Sequence, residues 1–405
     1  MSKKIARRRF LLGSALAGGA AAVRVARGGE AAERISIGLI GCGDRGTALL
    51  REVLALTARA NAAVTALCDV WKVNLERAAA LVEKSLGARP RTCARFGDLL
   101  ALEDVDAVVI ATPDFAHAPI LVQALEAGKD AYVEKPMSID VADANRALDL
   151  ARSKGRVVQA GTQRRSEGAY RAAARELATG ALGRITRVSA SVNFHEPRWA
   201  RAYEDCKAED VDWDAYLFNR PKRPFDPKLL RRWHLYKDFT NGLSGLWMSH
   251  YADSVHFLTG AKYPESAVAH GGIYLWKDGR EHTDVFHALL SYPEGFLFDW
   301  AMSLTNSSGD RFRVHGDLGT LDLATWTISP AGGRRGTPVV ERKLAPEADR
   351  SHVGNWLACL RSREKPAADI EAGHQHAVAT ILAARALETG RRQLYDPASR
   401  EIREG

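Results

Sequence analysis

The chain has 405 residues, a formal net charge of +8 at pH 7 and an isoelectric point near 9.2. Eight of its 57 lysines and arginines and two of its 49 acids lie in residues 1–34, so most of the positive excess belongs to that segment. The remainder is close to neutral, which argues against nucleic-acid binding through overall charge. The chain is longer than a single hydrophobic core usually supports, and we therefore predict two domains, residues 35–160 and 161–405.

Paired arginines precede a short apolar run at the start of the chain. Arg7 and Arg8 are followed by an uncharged stretch from Phe10 to Val23 that is too short to span a bilayer stably. This pattern resembles the twin-arginine export signal, and it predicts that residues 1–34 are removed from a periplasmic or otherwise exported protein. A basic tail without a targeting role is the alternative. No later apolar run is long enough for a transmembrane helix.

The cysteines are Cys42, Cys68, Cys93, Cys206 and Cys359. They form no CxxC or other metal-like spacing, and their number is odd. The sequence therefore predicts neither a disulfide framework nor a metal site, although an exported protein could form disulfides.

Short apolar runs alternate with amphipathic stretches between residues 35 and 160. The predicted strands cover residues 35–40, 63–68, 105–111, 131–133 and 157–160, and the predicted helices cover 47–60, 116–127 and 141–153. Strands that alternate with helices indicate a parallel sheet with helices on both faces. The predicted fold class is therefore α/β, beginning with a doubly wound Rossmann sheet.

A glycine fingerprint, residues 41–46, lies between the first predicted strand and the first predicted helix. In this context Gly41 makes the tight turn, Gly43 admits a pyrophosphate to the backbone, and Gly46 allows close packing of helix on strand. Asp69 ends the second strand, where a carboxylate can accept both ribose hydroxyls and repel the 2′-phosphate of NADP. The pattern predicts NAD rather than NADP as the cofactor. The alternative is a structural turn with Asp69 as a helix cap.

After residue 180 the pattern changes to longer alternating runs, which predict strands at residues 185–192, 267–275, 287–292 and 296–304. A polar cluster precedes the second of these runs. His250 and Asp253 are three residues apart and share a helix face, where an imidazole and a carboxylate could act together. His256 is rotated away from them, which favours a structural role. A final amphipathic helix is predicted at residues 371–388.

Another group, residues 195–199 and 231–236, mixes aromatic rings with charged side chains. Such a mixture suits sugars, whose apolar faces stack on rings and whose hydroxyls need hydrogen-bond partners. A solvated loop with core tryptophans is an equally good interpretation of any single residue. The predicted substrate-binding residues of this group are His195, Arg198, Trp199, Arg232, Trp233 and Tyr236.

Five motifs occur along the chain in the order Ile37-Gly-Leu-Ile-Gly-Cys-Gly43, Ala111-Thr-Pro, His117, Glu134-Lys-Pro and Ala160-Gly-Thr-Gln-Arg-Arg165. The chain therefore resembles the Gfo/Idh/MocA oxidoreductases, the glucose-fructose oxidoreductase and inositol dehydrogenase family, and it looks most like the exported twin-arginine branch. The resemblance implies a Rossmann domain, a C-terminal α/β domain with a mostly antiparallel open sheet, and an active site between them. We also expect a homo-oligomer built through the C-terminal sheet.

The resemblance also implies roles for individual residues. It places the catalytic lysine at Lys135, whose ammonium could stabilise the alkoxide that develops on an oxidised hydroxyl. His250 matches the family histidine, with Asp253 to orient it or to contact the sugar, but Leu246 stands where the family usually has an aspartate. The implied cofactor-binding residues are Gly41, Gly43, Asp44, Arg45, Gly46, Asp69, Thr112, Pro113, His117, Glu134, Lys135 and Gln163, and Arg164 and His250 are further candidates for the substrate site.

We therefore expect an NAD-dependent oxidoreductase that acts on a secondary hydroxyl of a sugar, sugar derivative or glycoside. Because an exported enzyme has no free NAD to draw on, we expect the cofactor to stay bound and the cycle to be redox-neutral. One alternative is a glycosidase or lyase that oxidises sugar C3 transiently and eliminates the aglycone. Another is a catalytically weak, nucleotide-holding sugar-binding protein, which Leu246 would favour.

Overall fold

The computed structural model describes residues 33–405. The predicted export signal lies outside the described residues, apart from its last two. Residues 34–405 form one compact unit. No helix within the described range is long and apolar enough to cross a membrane.

The sheet of the N-terminal part, residues 35–162, has six parallel strands in the order β3-β2-β1-β4-β5-β6 within the described chain. Their bounds are β1 Ile35–Ile40, β2 Ala62–Cys68, β3 Arg91–Cys93, β4 Ala107–Ile110, β5 Asp130–Val133 and β6 Val158–Ala160. Every residue of β4 and β5 is buried, as expected for parallel strands covered on both faces. The predicted doubly wound sheet is confirmed. Its strand order reverses beside β1, the point at which such sheets bind ligands.

Five helices accompany this sheet: α1 Asp44–Ala60, α2 Lys72–Leu86, α3 Phe96–Leu100, α4 His117–Glu126 and α5 Val141–Ser153. Helix α1 begins three residues earlier than predicted, because the fingerprint itself forms its first turn. The sequence analysis did not predict α2 or the short β3. The buried face of α2 is small and mixed, and Asn74 belongs to it. Its periodicity is correspondingly weak.

Two glycines make the turn between β1 and α1. Gly41 has a φ of +91°, and a Cβ there would lie 2.6 Å from the carbonyl oxygen of Ala111. A Cβ at Gly46 would lie 1.8 Å from the carbonyl oxygen of Gly41. These distances exclude any side chain, so the glycines are what allows helix α1 to pack closely against the strands.

A second sheet contains ten strands in the order β14-β13-β12-β11-β7-β10-β9-β8-β15-β16 in the described part of the chain. Neighbours are antiparallel except β7 and β10, which are parallel. The bounds are β7 Ile185–Asn193, β8 Ser266–Gly272, β9 Val285–Tyr292, β10 Phe296–Ser303, β11 Arg311–Gly316, β12 Thr320–Asp322, β13 Thr327–Ser329, β14 Arg342–Lys343, β15 Gln393–Asp396 and β16 Glu401–Glu404. This arrangement confirms the predicted mostly antiparallel sheet.

Helices cover one face of the second sheet. Along β10 the side chains of Phe296, Phe298, Trp300 and Met302 are buried and alternate with partly exposed ones. The covering helices are α6 Gly168–Ala178, α9 Ser249–Thr259 and α11 Ile370–Thr389, whereas α10 His352–Ser362 packs on α1. Helix α11, predicted as residues 371–388, also contacts β6 and α5 and so joins the two sheets.

Residues 197–240, here called the covering segment, lie between the second sheet and the N-terminal part. The segment contains two short helices, α7 Trp213–Leu217 and α8 Pro227–Arg231. Tyr216, Leu229 and Phe239 join the same buried cluster as the strands of the N-terminal sheet. Beyond the segment, a π-helical turn at Ser244–Met248 leads directly into α9.

Candidate active site

A cavity of about 540 Å³ lies at the carboxyl ends of β1, β2 and β4. Gly41 and Asp69 line it from the N-terminal part, and the covering segment contributes Arg201, Trp233 and His234. A volume of this size is typical of small-molecule and cofactor sites. The covering segment therefore supplies part of the wall of the predicted dinucleotide site.

The wall of this cavity fits a dinucleotide. A Cβ at Gly43 would have no atom nearer than 3.9 Å, so the backbone faces open space at the N-terminus of α1, where phosphate binds well. Two buried polar atoms of the wall, Trp71 Nε1 and Thr112 Oγ1, have no hydrogen-bond partner among the described residues. Orphaned buried atoms are rare in proteins, and a bound dinucleotide would offer these two a partner.

Asp69 is fixed between two turns. Its carboxylate accepts hydrogen bonds from the backbone amides of Cys42 (2.6 Å) and Trp71 (2.8 Å). Burial raises the pKa of this carboxyl to about 6, although the two amides oppose the shift. The Asn74 side chain also hydrogen-bonds this carboxylate, so three of its roughly four acceptor sites are occupied and one remains for a ribose hydroxyl.

Arg45, Glu134 and Gln163 form one network beside the end of β5. Glu134 is buried and accepts hydrogen bonds from Arg45 Nε (2.7 Å) and from the backbone amide of Lys135 (3.2 Å). With its amide oriented to satisfy both neighbours, Gln163 accepts from Arg45 Nη2 at 2.8 Å. Three predicted cofactor-binding residues thus hold one another in place.

Lys135 follows β5, and its Nζ donates a hydrogen bond to the backbone carbonyl of Leu246 at 2.6 Å. Leu246 lies in the π-helical turn, a distortion that occurs frequently at functional sites. Burial lowers the pKa of the Lys135 ammonium, while the carboxylates of Asp114 and Glu134 oppose that shift. Where the resemblance implies an aspartate side chain, this chain therefore offers the lysine a main-chain oxygen.

His250 lies in the first turn of α9, and its ring is edge-on to that of Trp247, with the ring centres 6.4 Å apart. Burial holds the pKa of its imidazole well below the usual range, and the cations Lys135 and Arg164 add to the shift. The imidazole is therefore neutral, with one ring nitrogen that can act as an acceptor. The charge of Lys135 acts on His250, which shows that the structure brings the two side chains near each other.

Asp253 is placed differently from the prediction. It is fully buried, and both carboxylate oxygens accept hydrogen bonds from Arg165 Nε, at 2.9 and 3.0 Å. The expectation that Asp253 orients His250 or contacts the sugar is therefore revised, because the carboxylate forms an internal ion pair that anchors the turn after β6 to α9. His256 donates to or accepts from the Tyr292 hydroxyl at 2.8 Å, which agrees with the structural role that the sequence favoured.

His117 also requires a correction. It is 1% exposed, and its ring nitrogens lie 2.8 Å from the carbonyl oxygens of Pro136 and Thr112. Both nitrogens are engaged by the main chain that follows β4 and β5, so His117 joins these turns instead of contacting a cofactor. Thr112 and Pro113 themselves line the cavity, as predicted.

The predicted substrate-binding residues separate into two sets. Trp199 and Trp233 both stack on His234, with ring centres 5.2 and 3.7 Å away. His234 lies within the predicted group, but the sequence analysis gave it no role. The aromatic residue immediately before it was the only available signal. Arg201 lines the same cavity and had no signal at all, because its partner Asp44 is distant in the sequence.

The remaining members of that group do not line the cavity. His195 is exposed and its Nδ1 lies 2.7 Å from the carbonyl oxygen of Thr305. Arg198 pairs with Glu196, and Arg232 Nε donates to the carbonyl oxygen of Arg201 at 2.7 Å. Tyr236 packs against the core of the N-terminal part, and Arg164 lies over the Tyr251 ring at 4.2 Å. Of the predicted substrate-binding residues only Trp233 lines the dinucleotide cavity, and contact of the others with substrate stays a prediction.

The covering segment is tied to the N-terminal part along the cavity. At the glycine turn, Arg201 Nε forms an ion pair with Asp44 Oδ2 at 2.9 Å. After β2, the backbone amide of Asp212 donates to the carbonyl oxygen of Val70 at 2.8 Å. After β4, Thr240 Oγ1 donates to Asp114, also at 2.8 Å. The segment thus spans the ends of three neighbouring strands.

Comparison with family models identifies both parts of the chain. Residues 35–162 match a model described as an oxidoreductase family with an NAD-binding Rossmann fold. Residues 215–322 match the GFO/IDH/MocA C-terminal domain. The chain belongs to the Gfo/Idh/MocA oxidoreductase family. It is therefore an NAD(P)-dependent oxidoreductase with an NAD-binding Rossmann domain, which confirms the family resemblance and the cofactor predicted from the motifs.

Similar proteins have names that refer to oxidoreduction and to sugars. YdgJ of Escherichia coli K12, an uncharacterized oxidoreductase, is 27% identical over 294 residues, which cover 71% of this chain and 70% of YdgJ. A dTDP-3,4-didehydro-2,6-dideoxy-alpha-D-glucose 3-reductase of Streptomyces violaceoruber is 36% identical over 46% of this chain and 50% of its own. A glycosyl hydrolase family 109 protein of Shewanella amazonensis is 34% identical over 29% of this chain. The chain spans half of the reductase and 26% of the Shewanella protein.

The fold is also found among solved structures. The WlbA dehydrogenase of Bordetella pertussis, in complex with NADH and UDP-GlcNAcA, is similar with a TM-score of 0.68. The sequence identity is 21%, over 90% of this chain and 99% of that one. At this level of sequence identity the similarity shows a shared fold alone.

Proposed function

We propose that this protein is an NAD-dependent oxidoreductase acting on a secondary hydroxyl of a sugar, sugar derivative or glycoside. Its NAD stays bound through a redox-neutral cycle, in which the hydride returns to the same sugar or passes to another one. The observation that carries the proposal is the covering segment, whose residues Arg201, Trp233 and His234 line the dinucleotide cavity. The Arg201–Asp44 ion pair and the Asp212–Val70 hydrogen bond join this segment to the N-terminal part beside the cavity, which would oppose release of a bound dinucleotide. The sugar class is supported by the Streptomyces relative, whose name is that of a sugar 3-reductase.

Lys135 and His250 divide the proton chemistry. When bound, NAD would supply the acceptor for the hydride on the carbon that carries the hydroxyl. The Lys135 ammonium hydrogen-bonds the hydroxyl oxygen and stabilises its developing negative charge, and neutral His250 accepts the hydroxyl proton. Loss of the hydride from carbon and of the proton from oxygen converts the hydroxyl to a carbonyl. His250 returns the proton in the reverse direction.

The missing family aspartate fits this division. A carboxylate beside an ammonium favours its charged form, whereas the carbonyl oxygen of Leu246 carries only a dipole. The charge of the Lys135 ammonium is therefore not neutralised by a carboxylate in addition to Asp114 and Glu134, and it is available to the developing oxyanion of the substrate. His250 is neutral for an independent reason, since burial is the main cause of its lowered pKa.

A second candidate is a glycosidase or lyase that uses the oxidation transiently. Oxidation of the C3 hydroxyl acidifies the C2 proton, and a neutral base removes that proton while the bond from C1 to the aglycone oxygen breaks. Water then adds across the new double bond, and the hydride returns to C3. Neutral His250 beside Lys135 suits the role of base, and the name of the Shewanella relative supports this chemistry.

The proposal includes export and self-association. The Arg7–Arg8 pattern supports export of the folded protein, which would carry its cofactor inside it. The uncovered face of the second sheet supports a homo-oligomer, because Val268 and Leu289 are neighbours there and each is 42% exposed. Light scattering of the protein and of L289E tests assembly. An unchanged mass for L289E would contradict this contact surface.

A substrate panel tests the proposed activity. Purified protein is mixed with keto-sugars, sugars, alditols and aryl glycosides while absorbance at 340 nm and product release are followed. We expect a sugar to produce a transient 340 nm signal no larger than the bound nucleotide. Release of aglycone would favour the second candidate. Binding of sugars with no hydride transfer to any of them would contradict both and favour the binding protein.

A further inference from the structure

His234 is a buried histidine in the wall of the dinucleotide cavity. It is 6% exposed and contributes to the cavity from the covering segment. The rings of Trp233 and Trp199 stack on it with interplanar angles of 19° and 7°. The two tryptophans therefore hold the imidazole plane in one orientation.

The hydrogen bonds of His234 determine where its proton lies. Its Nε2 lies 3.5 Å from Nη1 of Arg201, and a guanidinium can only donate. Nε2 is therefore the acceptor. Burial, together with the charges of Arg201 and Lys135, keeps the pKa of the ring well below its usual range, so the imidazole is neutral. The single proton of this tautomer must lie on Nδ1.

The Nδ1–H donor has no acceptor among the described residues. Proteins rarely leave a buried donor unpaired, because the lost hydration is not replaced. The backbone beside the stack is also unusual. Arg198 and Trp199 adopt positive φ values of +44° and +53°, although neither is glycine. Such strain persists where the surrounding structure requires it, often at ligand clamps.

We propose that His234 is a ligand of the bound dinucleotide, with its Nδ1–H donating a hydrogen bond to an oxygen of that molecule. The dinucleotide is favoured over the sugar because Gly41 and Asp69 line the same cavity. Arg201, the partner of His234, also pairs with Asp44 in the first turn of α1, where the pyrophosphate binds. The inference deepens the proposed retention of NAD by naming a residue of the covering segment that holds it.

The test compares nucleotide retention in the purified holoprotein, H234F and H287F. Phenylalanine keeps a ring between the tryptophans and removes the donor, and His287 is an exposed position on the second sheet that receives the same substitution. Each protein is passed through a desalting column at intervals, and the remaining nucleotide is released by denaturation and counted. We expect H234F to lose NAD about ten-fold faster or more than the other two, as for a lost hydrogen bond to a ligand.

Equal retention in H234F and H287F would overturn the proposal. Equal retention with weaker equilibrium binding of the sugar, measured as a raised Kd, would also overturn it and assign the donor to the substrate. If H234F does not fold, ¹⁵N-histidine NMR of the unaltered protein provides the answer. The Nδ1–H resonance of His234 should shift when NAD is added to nucleotide-depleted protein, and no shift would refute the contact. None of these readouts requires turnover, so failure of the proposed redox-neutral cycle would be seen separately.

Discussion

Replacing Lys135 with methionine tests whether its ammonium stabilises the charge that develops on the substrate oxygen. Methionine has a similar length and apolar stem but no charge. Removing one donor that stabilises a developing oxyanion costs about 10² to 10³ in turnover, which corresponds to about 2.7 to 4 kcal/mol of transition-state stabilisation. We expect turnover of K135M to fall by this factor.

The structure also predicts a modest loss of folding stability for K135M. Lys135 Nζ donates to the Leu246 carbonyl, so K135M leaves one buried acceptor without its partner and costs about 1 to 3 kcal/mol of stability. Lys129 offers a matched control. It is 7% exposed, and its Nζ donates to the carbonyl oxygens of Leu102 and Val105, both at 2.7 Å. K129M should therefore be destabilised at least as much as K135M.

The assay measures both properties in both variants. Denaturant unfolding gives the stability, nucleotide analysis gives the bound NAD, and initial rates on the active sugar give turnover. We expect both variants to be destabilised and only K135M to lose turnover while retaining NAD. If K135M turned over at a near-normal rate, or if K129M lost as much activity, the reasoning would be refuted, since the loss would then follow stability and not chemistry.

Three further predictions follow from the site. D69N should raise the ratio of NADP affinity to NAD affinity by about ten-fold, because it removes a negative charge facing the 2′-phosphate. The unaltered protein should lose NAD affinity as pH falls through about 6, where the Asp69 carboxylate protonates. Titration with both nucleotides across pH checks this, and NAD affinity of D69N that depends on pH in the same way would contradict it. H250A should lower turnover about 100-fold or more with a melting temperature close to normal, and a variant that failed to fold would point to a structural histidine. D253A should lower the free energy of unfolding by about 3 to 5 kcal/mol, because it leaves buried Arg165 unpaired; unchanged stability with reduced turnover would restore the role expected from the sequence.

The regular elements of the N-terminal part were predictable for a physical reason. Strands β1, β2 and β4 are almost wholly buried, so each one is a largely apolar run. Helix α5 has the bounds predicted for it. Its start is marked by Asp140, whose side chain accepts hydrogen bonds from the backbone amides of Ala142 and Asp143. Where local signals and burial agree, the sequence is sufficient.

The covering segment could not be predicted in the same way. Its helices are five residues long, too short to display a helical period, and three of its residues have positive φ values without being glycine. The partner of Lys135 is a main-chain oxygen, which carries no signal in the sequence. Asp253 and His250 share a helix face, but the ion-pair partner of Asp253 is Arg165, which comes from the turn after β6. Such pairings depend on tertiary contacts between distant segments.

The most direct test of the account is the number of turnovers supported by each bound nucleotide. The protein is purified without added cofactor and dialysed, its nucleotide is released from one portion and identified, and the rest is incubated with the active sugar or glycoside. The account predicts close to one NAD or NADH per chain and many turnovers with none added. A protein that emerges empty and reacts only with stoichiometric added NAD would contradict the retained cofactor and the redox-neutral cycle together.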